Sequence, residues 1–135
     1  MNTQRKTKKT KILIVDDDFD YLLQQKLILE AEGHEVITAE NESQAKEIIN
    51  TQDFDLAIVD LMMEDMDSGF ILSYEIKKKH PLTPVIIVTA VKSQTGFSFE
   101  SITQEEKKWI KADLILAKPV RAEQILKEIQ KLQAA

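Results

Sequence analysis

The stretch ILIVDDDFD, residues 12–20, joins four aliphatic residues directly to three consecutive aspartates. The aliphatic part has the length and the continuous hydrophobicity of a parallel strand that is buried on both faces. The aspartates Asp16, Asp17 and Asp18 repel one another, and none of them gains from burial. The stretch therefore predicts a strand whose carboxyl end carries negative charge that another group must compensate.

Four more apolar runs of strand length follow, and they alternate with segments of helical periodicity. This alternation is typical of a parallel sheet covered by helices on both faces. The predicted strands cover residues 11–15, 36–39, 55–60, 85–90 and 114–117. The sequence thus predicts a single α/β domain of five βα units, (βα)5, with no internal repeat.

Apolar residues at helical spacing, together with capping residues, predict the helices. The first carries Phe19, Leu22, Leu23 and Leu27 and stops at Gly33. The next three are a helix capped by Asn41, one over 69–79 and one over about 104–112 after a capping box. A closing helix carries the apolar residues Ala122, Ile125, Leu126, Ile129 and Leu132. The histidines His34 and His80 are predicted to lie at the surface.

The composition indicates a soluble, cytoplasmic protein. The 135 residues include no cysteine, and no apolar run approaches the roughly 20 residues that cross a bilayer. A net charge of -5 argues against direct DNA binding. Residues 1–10 are basic and form either a flexible tail or an electrostatic docking arm, while 11–135 form the folded domain.

Five polar side chains are predicted to meet at one edge of the sheet, because all parallel strands end there: Asp16, Asp17, Asp60, Thr89 and Lys118. Three carboxylates in one crevice favour a hard divalent cation, and Mg2+ suits an open site with few protein ligands. Thr89 and Lys118 then remain as donors for a phosphoryl group. A carboxylate can accept such a group covalently, and Asp60 is the candidate nucleophile.

Four motifs in this order resemble the receiver domain of two-component response regulators, the stand-alone type similar to the chemotaxis regulator: ILIVDDD (12–18), DLAIVDLMMEDMDSG (55–69), VIIVTA (85–90) and ADLILAKPV (112–120). The resemblance covers about residues 11–134. It implies a flavodoxin-like, doubly wound, five-stranded parallel sheet with strand order 2-1-3-4-5.

The resemblance also implies roles for individual residues. Asp60 is the phosphoacceptor, and Mg2+ is held by Asp17, Asp60 and the backbone carbonyl of Met62, with Asp16 assisting. The phosphoryl oxygens meet Thr89, the amide of Ala90 and Lys118, and the bond from Lys118 to Pro119 is expected to be cis. Asp18 is then left to cap the first helix or to lie in solvent.

The partners implied by the resemblance are proteins. A sensor histidine kinase or a phosphotransfer protein supplies the phosphoryl group. The protein is then not an enzyme, except that it catalyses its own phosphorylation and dephosphorylation. Phosphorylation switches the face of the fourth helix, fifth strand and fifth helix for a downstream protein target, or for a homodimer. Since no output domain follows residue 135, we expect the effect to pass through a bound molecule.

Some residues depart from the family pattern and support an alternative, a pseudo-receiver that binds proteins without being phosphorylated. Glu64 and Ser68 stand where the family usually has Pro and Gly, with Gly69 one place later, and Ile115 replaces the aromatic switch residue. The loop over 91–103 is long, and its aromatic residues either pack on the fourth strand or bind a partner.

The lifetime of the phosphorylated state follows from two further positions in this resemblance, Met62 and Val91. Neither side chain can orient a water molecule by hydrogen bonding. We therefore predict slow self-dephosphorylation. Decay of the phosphorylated protein with Mg2+ present measures it, and a half-life of seconds would contradict the prediction.

Overall fold

A computed structural model of the chain describes residues 9–61, 63, 68–89 and 112–134. Five parallel strands form one sheet in the order β2-β1-β3-β4-β5. The strands are β1 (Lys11–Val15), β2 (Glu35–Ala39), β3 (Leu56–Asp60), β4 (Val85–Thr89) and β5 (Leu114–Ala117). The helices are α1 (Phe19–Ala31), α2 (Glu42–Thr51), α3 (Ser68–Lys79) and the C-terminal helix (Ala122–Ala134). The predicted fold class and strand order are confirmed, and the helix predicted at 104–112 lies outside the described residues.

The two faces of the sheet are covered by different helices, as the alternation of side chains along each strand requires. Ile12 and Ile14 of β1 pack in a cluster with α1 and the C-terminal helix. Leu13 and Val15 pack on the other face with residues of α2 and α3. Because all four side chains are buried, β1 has no solvent face, which is why its sequence is continuously apolar.

The buried face of α1 differs from the predicted one. Leu22 is buried as predicted, but Phe19, Leu23 and Leu27 are exposed, with 58%, 44% and 62% of their surface accessible. Gln25 and Leu29 take the inward positions instead. On so apolar a helix, helical spacing alone allows either the face with Leu23 and Leu27 or the face with Leu22 and Leu29 to be buried, and tertiary packing selects the second. None of the helices in the described ranges is both long and apolar enough to cross a membrane.

The amino ends of the strands are fastened by side chains on the edge opposite the aspartates. His34 Nδ1 accepts the Thr10 N–H at 3.1 Å, Asp55 accepts from Lys11 N–H at 2.8 Å, and Asp113 accepts from Val85 N–H at 2.8 Å. The surface position predicted for the histidines is therefore wrong. His34 is buried, and His80 is partly buried with its ring against Phe54. In both cases a ring nitrogen forms a hydrogen bond with a backbone group, and this bond compensates the loss of hydrogen bonds to water on burial.

Gly69 lets α3 begin directly against the end of β3. Its N–H donates to the Leu61 carbonyl at 2.8 Å. A Cβ atom at residue 69 would lie 2.6 Å from Leu61 Cα and 2.9 Å from the Asp60 carbonyl oxygen. Both of these are backbone atoms, so neither can move aside cheaply. Gly69 thus fixes the backbone on which Asp60 is carried.

We predict that Gly69→Ala destabilises the protein. The overlap with Leu61 costs more than the better helix propensity of alanine returns, so the net loss is about 1–2 kcal/mol in the free energy of unfolding by urea. Gly33→Asn is the comparison without a steric overlap: Gly33 has φ of 95°, and nothing lies within 4 Å of its added Cβ, so its cost, at most about 1 kcal/mol because asparagine tolerates the left-handed region better than other residues with a side chain, comes from backbone strain alone. Equal stability of Gly69→Ala and wild type would contradict the steric argument.

Candidate functional site

The register of the sheet brings Asp16 and Asp60 side by side. Val15 of β1 is paired with Val59 of β3, and the next residue of each strand is an aspartate at the carboxyl edge. Both aspartates are buried, with 5% and 3% of their surface accessible. Two carboxylates are thereby placed together at an edge where ligands bind in parallel α/β sheets.

Asp17 completes a cluster of three carboxylates. One oxygen from each of Asp16, Asp17 and Asp60 lies within 4.8 Å of the other two. Asp17 is exposed, so the cluster opens to solvent on one side. Since all three ligand atoms are oxygen, the donor set fits a hard divalent cation such as Mg2+, which keeps several waters.

The buried carboxylates are difficult to ionise without a cation. Burial, and next the charge of Asp16, raise the pKa of Asp60 from 3.8 to about 6 although Lys118 opposes the shift. Burial also raises the pKa of Asp16, against the hydrogen bond from Asp18 and the charge of Lys118. The described residues therefore compensate the negative charge at this edge only in part, and a bound cation would lower both pKa values.

Lys118 supplies the positive charge that the site does contain. Its Nζ lies 3.2 Å from Asp60 Oδ2 and 3.7 Å from Asp16 Oδ2. Burial disfavours the charged amine, but Asp60 and Asp16 outweigh that effect and raise the pKa of Lys118. The residue follows β5 directly, its N–H donates to the Thr89 carbonyl at 2.8 Å, and the peptide bond to Pro119 is cis as predicted.

Thr89 ends β4 at the same edge and is buried. Its neighbour Val88 is the register partner of Asp60, and the Leu61 N–H donates to the Val88 carbonyl at 2.8 Å. Five of the predicted site residues are therefore at one edge of the sheet: Asp16, Asp17, Asp60, Thr89 and Lys118. Met62 and Ala90, together with Glu64, Val91 and the loop over 91–103, lie outside the described residues.

Asp18 caps α1 and is also exposed to solvent, so both of its predicted positions apply. Its Oδ1 accepts the Tyr21 N–H at 3.1 Å. Its own N–H donates to Asp16 Oδ1 at 2.9 Å. The three consecutive aspartates thus have separate tasks: Asp16 lies in the carboxylate cluster and fixes the turn, Asp17 faces the open side, and Asp18 begins the helix.

Tyr21 is a residue of this region that the sequence did not single out. Its hydroxyl donates to the Val120 carbonyl at 2.8 Å, across 99 residues of sequence. Between Tyr21 and Lys118 lies a cavity of about 210 Å³, which is also lined by Asp16, Asp18, Val88, Pro119 and Val120. Nothing in the local sequence indicates so distant a partner, because the first turn of α1 and the segment after β5 meet only in the folded chain.

A family model described as the response regulator receiver domain matches residues 12–130. Among curated proteins, the chain is 43% identical over 83 residues to the transcriptional regulatory protein GlrR of Escherichia coli strain K12. That match covers 62% of this chain and 18% of GlrR. The chain thus spans about a fifth of the length of this relative.

Solved structures show the same fold. A CheY-like receiver domain protein from Methanospirillum hungatei JF-1 has a TM-score of 0.74 and 30% identity, over 93% of this chain and 94% of that one. A response regulator protein from Burkholderia pseudomallei, solved with a phosphorylated aspartic acid, a calcium ion and citrate, has a TM-score of 0.72 and 25% identity. Here 93% of this chain and 72% of that one are covered.

The raised pKa of Asp60 predicts how the stability of the metal-free protein depends on pH. A carboxyl group with a higher pKa in the folded state holds its proton more tightly there, so its contribution is complete below the unfolded pKa and is lost as pH rises through the folded pKa. The window runs from 3.8 to about 6. Asp60→Asn cannot ionise and should be more stable than wild type by about 2–3 kcal/mol at pH 7.5 in EDTA.

The advantage of Asp60→Asn should shrink at pH 4.5, where wild-type Asp60 is largely protonated in the folded protein. Urea unfolding of both proteins at the two pH values measures it. Asp20→Asn removes an exposed carboxylate from the first turn of α1 and serves as the control. A stability difference between Asp60→Asn and wild type that does not vary with pH would contradict the assignment.

Proposed function

Because this chain belongs to the family of response regulator receiver domains, we propose that Asp60 accepts a phosphoryl group from a phosphohistidine of a sensor kinase or phosphotransfer protein. The observation that carries the proposal is the contact of Lys118 Nζ with both Asp60 and Asp16 inside a cluster of three carboxylates. A fixed amine beside a carboxylate nucleophile is the arrangement that transfer of an anionic group requires.

The chemistry needs few protein groups. One carboxylate oxygen of Asp60 forms a bond to phosphorus, the bond from phosphorus to the donor imidazole nitrogen breaks, and that nitrogen keeps the electron pair. Lys118, whose Nζ lies 3.2 Å from Asp60 Oδ2, neutralises the arriving phosphoryl oxygens, and the Thr89 hydroxyl donates a hydrogen bond to one of them. No general base is required, because Asp60 reacts in its ionised form.

Mg2+ is the proposed cofactor, held by Asp17, Asp60 and the Met62 carbonyl, with Asp16 close by. The cluster fits it, since three carboxylate oxygens lie within 4.8 Å of one another and burial raises the pKa of both Asp16 and Asp60. When bound, the ion neutralises the charge that develops on the phosphoryl oxygens and the acceptor. The carboxylates of this chain would hold it.

The phosphodonor protein must reach Asp60 from the carboxyl edge, and α1 offers a surface beside that edge. Phe19, Leu23 and Leu27 follow one another at four-residue spacing and are exposed. Phe19 directly follows Asp18, so this stripe begins at the site itself. Apolar side chains are well suited to bind a donor protein there, in line with the proposed phosphotransfer partner.

In this proposal the output passes through a protein target, and the protein catalyses only its own phosphorylation and dephosphorylation. The relative GlrR is by its name a transcriptional regulatory protein. Its greater length includes segments that this chain does not match. The chain itself carries a net charge of -5, which favours a protein target over direct contact with DNA.

The pseudo-receiver alternative loses one of its supports. Ser68 stands where a glycine was expected, but Gly69 makes the close approach to Leu61 and Asp60 that a side chain would prevent. Ser68 is buried as the first residue of α3, and its hydroxyl donates to Glu42 Oε1 at 3.0 Å. The departure from the family pattern therefore leaves the carboxylate cluster intact.

We predict that acetyl phosphate with Mg2+ phosphorylates the protein on Asp60. Intact-mass spectrometry should show a gain of about 80 Da, the mass of one phosphoryl group. The gain should be absent without Mg2+ and in Asp60→Asn. The rate should fall by about 100-fold or more in Lys118→Ala, since one charge-stabilising donor contributes that much to transition-state stabilisation.

Asp20→Asn, which alters an exposed carboxylate outside the cluster, should be phosphorylated like wild type. A mass gain that persists in Asp60→Asn would move the acceptor to another residue. A wild-type protein that gains no mass at any Mg2+ concentration, although folded, would favour the pseudo-receiver.

A further inference from the structure

Tyr21 lies at the junction between α1 and the segment that carries Lys118. Its ring packs against the core cluster that contains the C-terminal helix. Its hydroxyl donates to the carbonyl of Val120 at 2.8 Å, two residues beyond Lys118. Val120 is itself buried, so this carbonyl has little access to solvent and gains from the partner.

The contact closes a ring around the cavity. Asp18 N–H donates to Asp16 Oδ1, and Tyr21 N–H donates to Asp18 Oδ1. The Tyr21 hydroxyl continues to the Val120 carbonyl, and the chain from Val120 leads back through Pro119 to Lys118. Lys118 Nζ then returns to Asp16 Oδ2 at 3.7 Å. The same residues line the cavity of about 210 Å³.

We propose that Tyr21 is a positioning residue for phosphoryl transfer, which holds the Lys118–Val120 segment so that the amine stays within reach of Asp60. The proposal rests on the proposed function, since Lys118 matters as the partner of the phosphoryl oxygens. It goes beyond that function by assigning to the first turn of α1 a part in placing the amine of Lys118, the residue that follows β5.

The hydroxyl of Tyr21 suits this task because it stays protonated. Burial, and next the negative charges of Asp16 and Asp60, raise the pKa of Tyr21 to about 12. It therefore donates to Val120 throughout the physiological range. Tyr21 lines the same cavity as Asp16 and Lys118, and its hydroxyl donates to the Val120 carbonyl.

A hydrogen bond holds each end of the segment from Lys118 to Val120. Lys118 N–H donates to the Thr89 carbonyl at 2.8 Å, and Tyr21 binds the Val120 carbonyl. Between these anchors stands Pro119, which has no N–H to donate. Loss of the Tyr21 hydroxyl leaves one end of this short segment without its side-chain anchor, and the long side chain of Lys118 amplifies any shift of its backbone.

The experiment compares Tyr21→Phe with wild type, because phenylalanine keeps the ring and removes the hydroxyl alone. In protein labelled with 13C-lysine and free of Mg2+, the Cε resonance of Lys118, assigned with Lys118→Arg, should shift in Tyr21→Phe. The phosphorylation rate at saturating acetyl phosphate and Mg2+ should fall about three- to tenfold, as loss of one neutral hydrogen bond permits. The half-saturating acetyl phosphate concentration should stay within about twofold of wild type, because the donor is held mainly by other groups.

Tyr74→Phe is the matched control. It makes the same chemical change on an exposed ring of α3, and it should alter neither the Lys118 resonance nor the rate. A Tyr21→Phe protein with a wild-type Lys118 resonance overturns the proposal, whether or not its urea midpoint falls. A shifted resonance with a wild-type rate overturns it too. If the wild-type chain fails to react with acetyl phosphate, the proposed function fails. The Lys118 resonance of Tyr21→Phe then still shows whether the Tyr21 hydroxyl positions Lys118.

Discussion

The burial of two like charges at the end of adjacent strands is the constraint on which the rest of this structure depends. Asp16 and Asp60 are nearly inaccessible to solvent, and the lysine amine that faces them is partly exposed. Among the described residues one amine faces these two or three carboxylates and cannot fully neutralise them, so this part of the chain leaves the site short of positive charge. A domain of this size tolerates such a cost only at a few positions, and these are commonly functional ones.

The fold converts this local cost into a defined geometry. Parallel pairing of β1 with β3 places Val15 opposite Val59, which leaves no freedom in where the following aspartates lie. Close approach of Gly69 to Leu61 then fixes the backbone behind Asp60. Because the side chains of both strands are closely packed on two buried faces, a shift in register would break that packing and is disfavoured. The core therefore holds the carboxylates together against their repulsion.

The sequence predicted the sheet and the edge because both follow from local patterns, namely apolar runs of strand length that end in polar residues. It failed where packing decides between equivalent choices. On α1, two stripes had helical spacing, and burial fell on Leu22 and Leu29 rather than on Leu23 and Leu27. His34 is buried where its Nδ1 accepts the N–H of Thr10, the residue before β1, and the Tyr21 hydroxyl donates to a carbonyl 99 residues away. Such contacts between distant segments leave no periodic trace in the sequence.

The position of Lys118 has a consequence for how a signal leaves the site. The amine contacts Asp16 and Asp60 together, so under the proposed function a phosphoryl group on Asp60 would compete with Asp16 for it. Asp16 also accepts the N–H of Asp18, the residue that caps α1. A weaker contact between Lys118 and Asp16 therefore changes the charge balance at the start of α1 as well as after β5. With Ile115 in place of an aromatic switch residue, this link through the carboxylates and the helix cap is a physical path, within the described residues, by which the proposed phosphorylation would shift the population between two states of the domain.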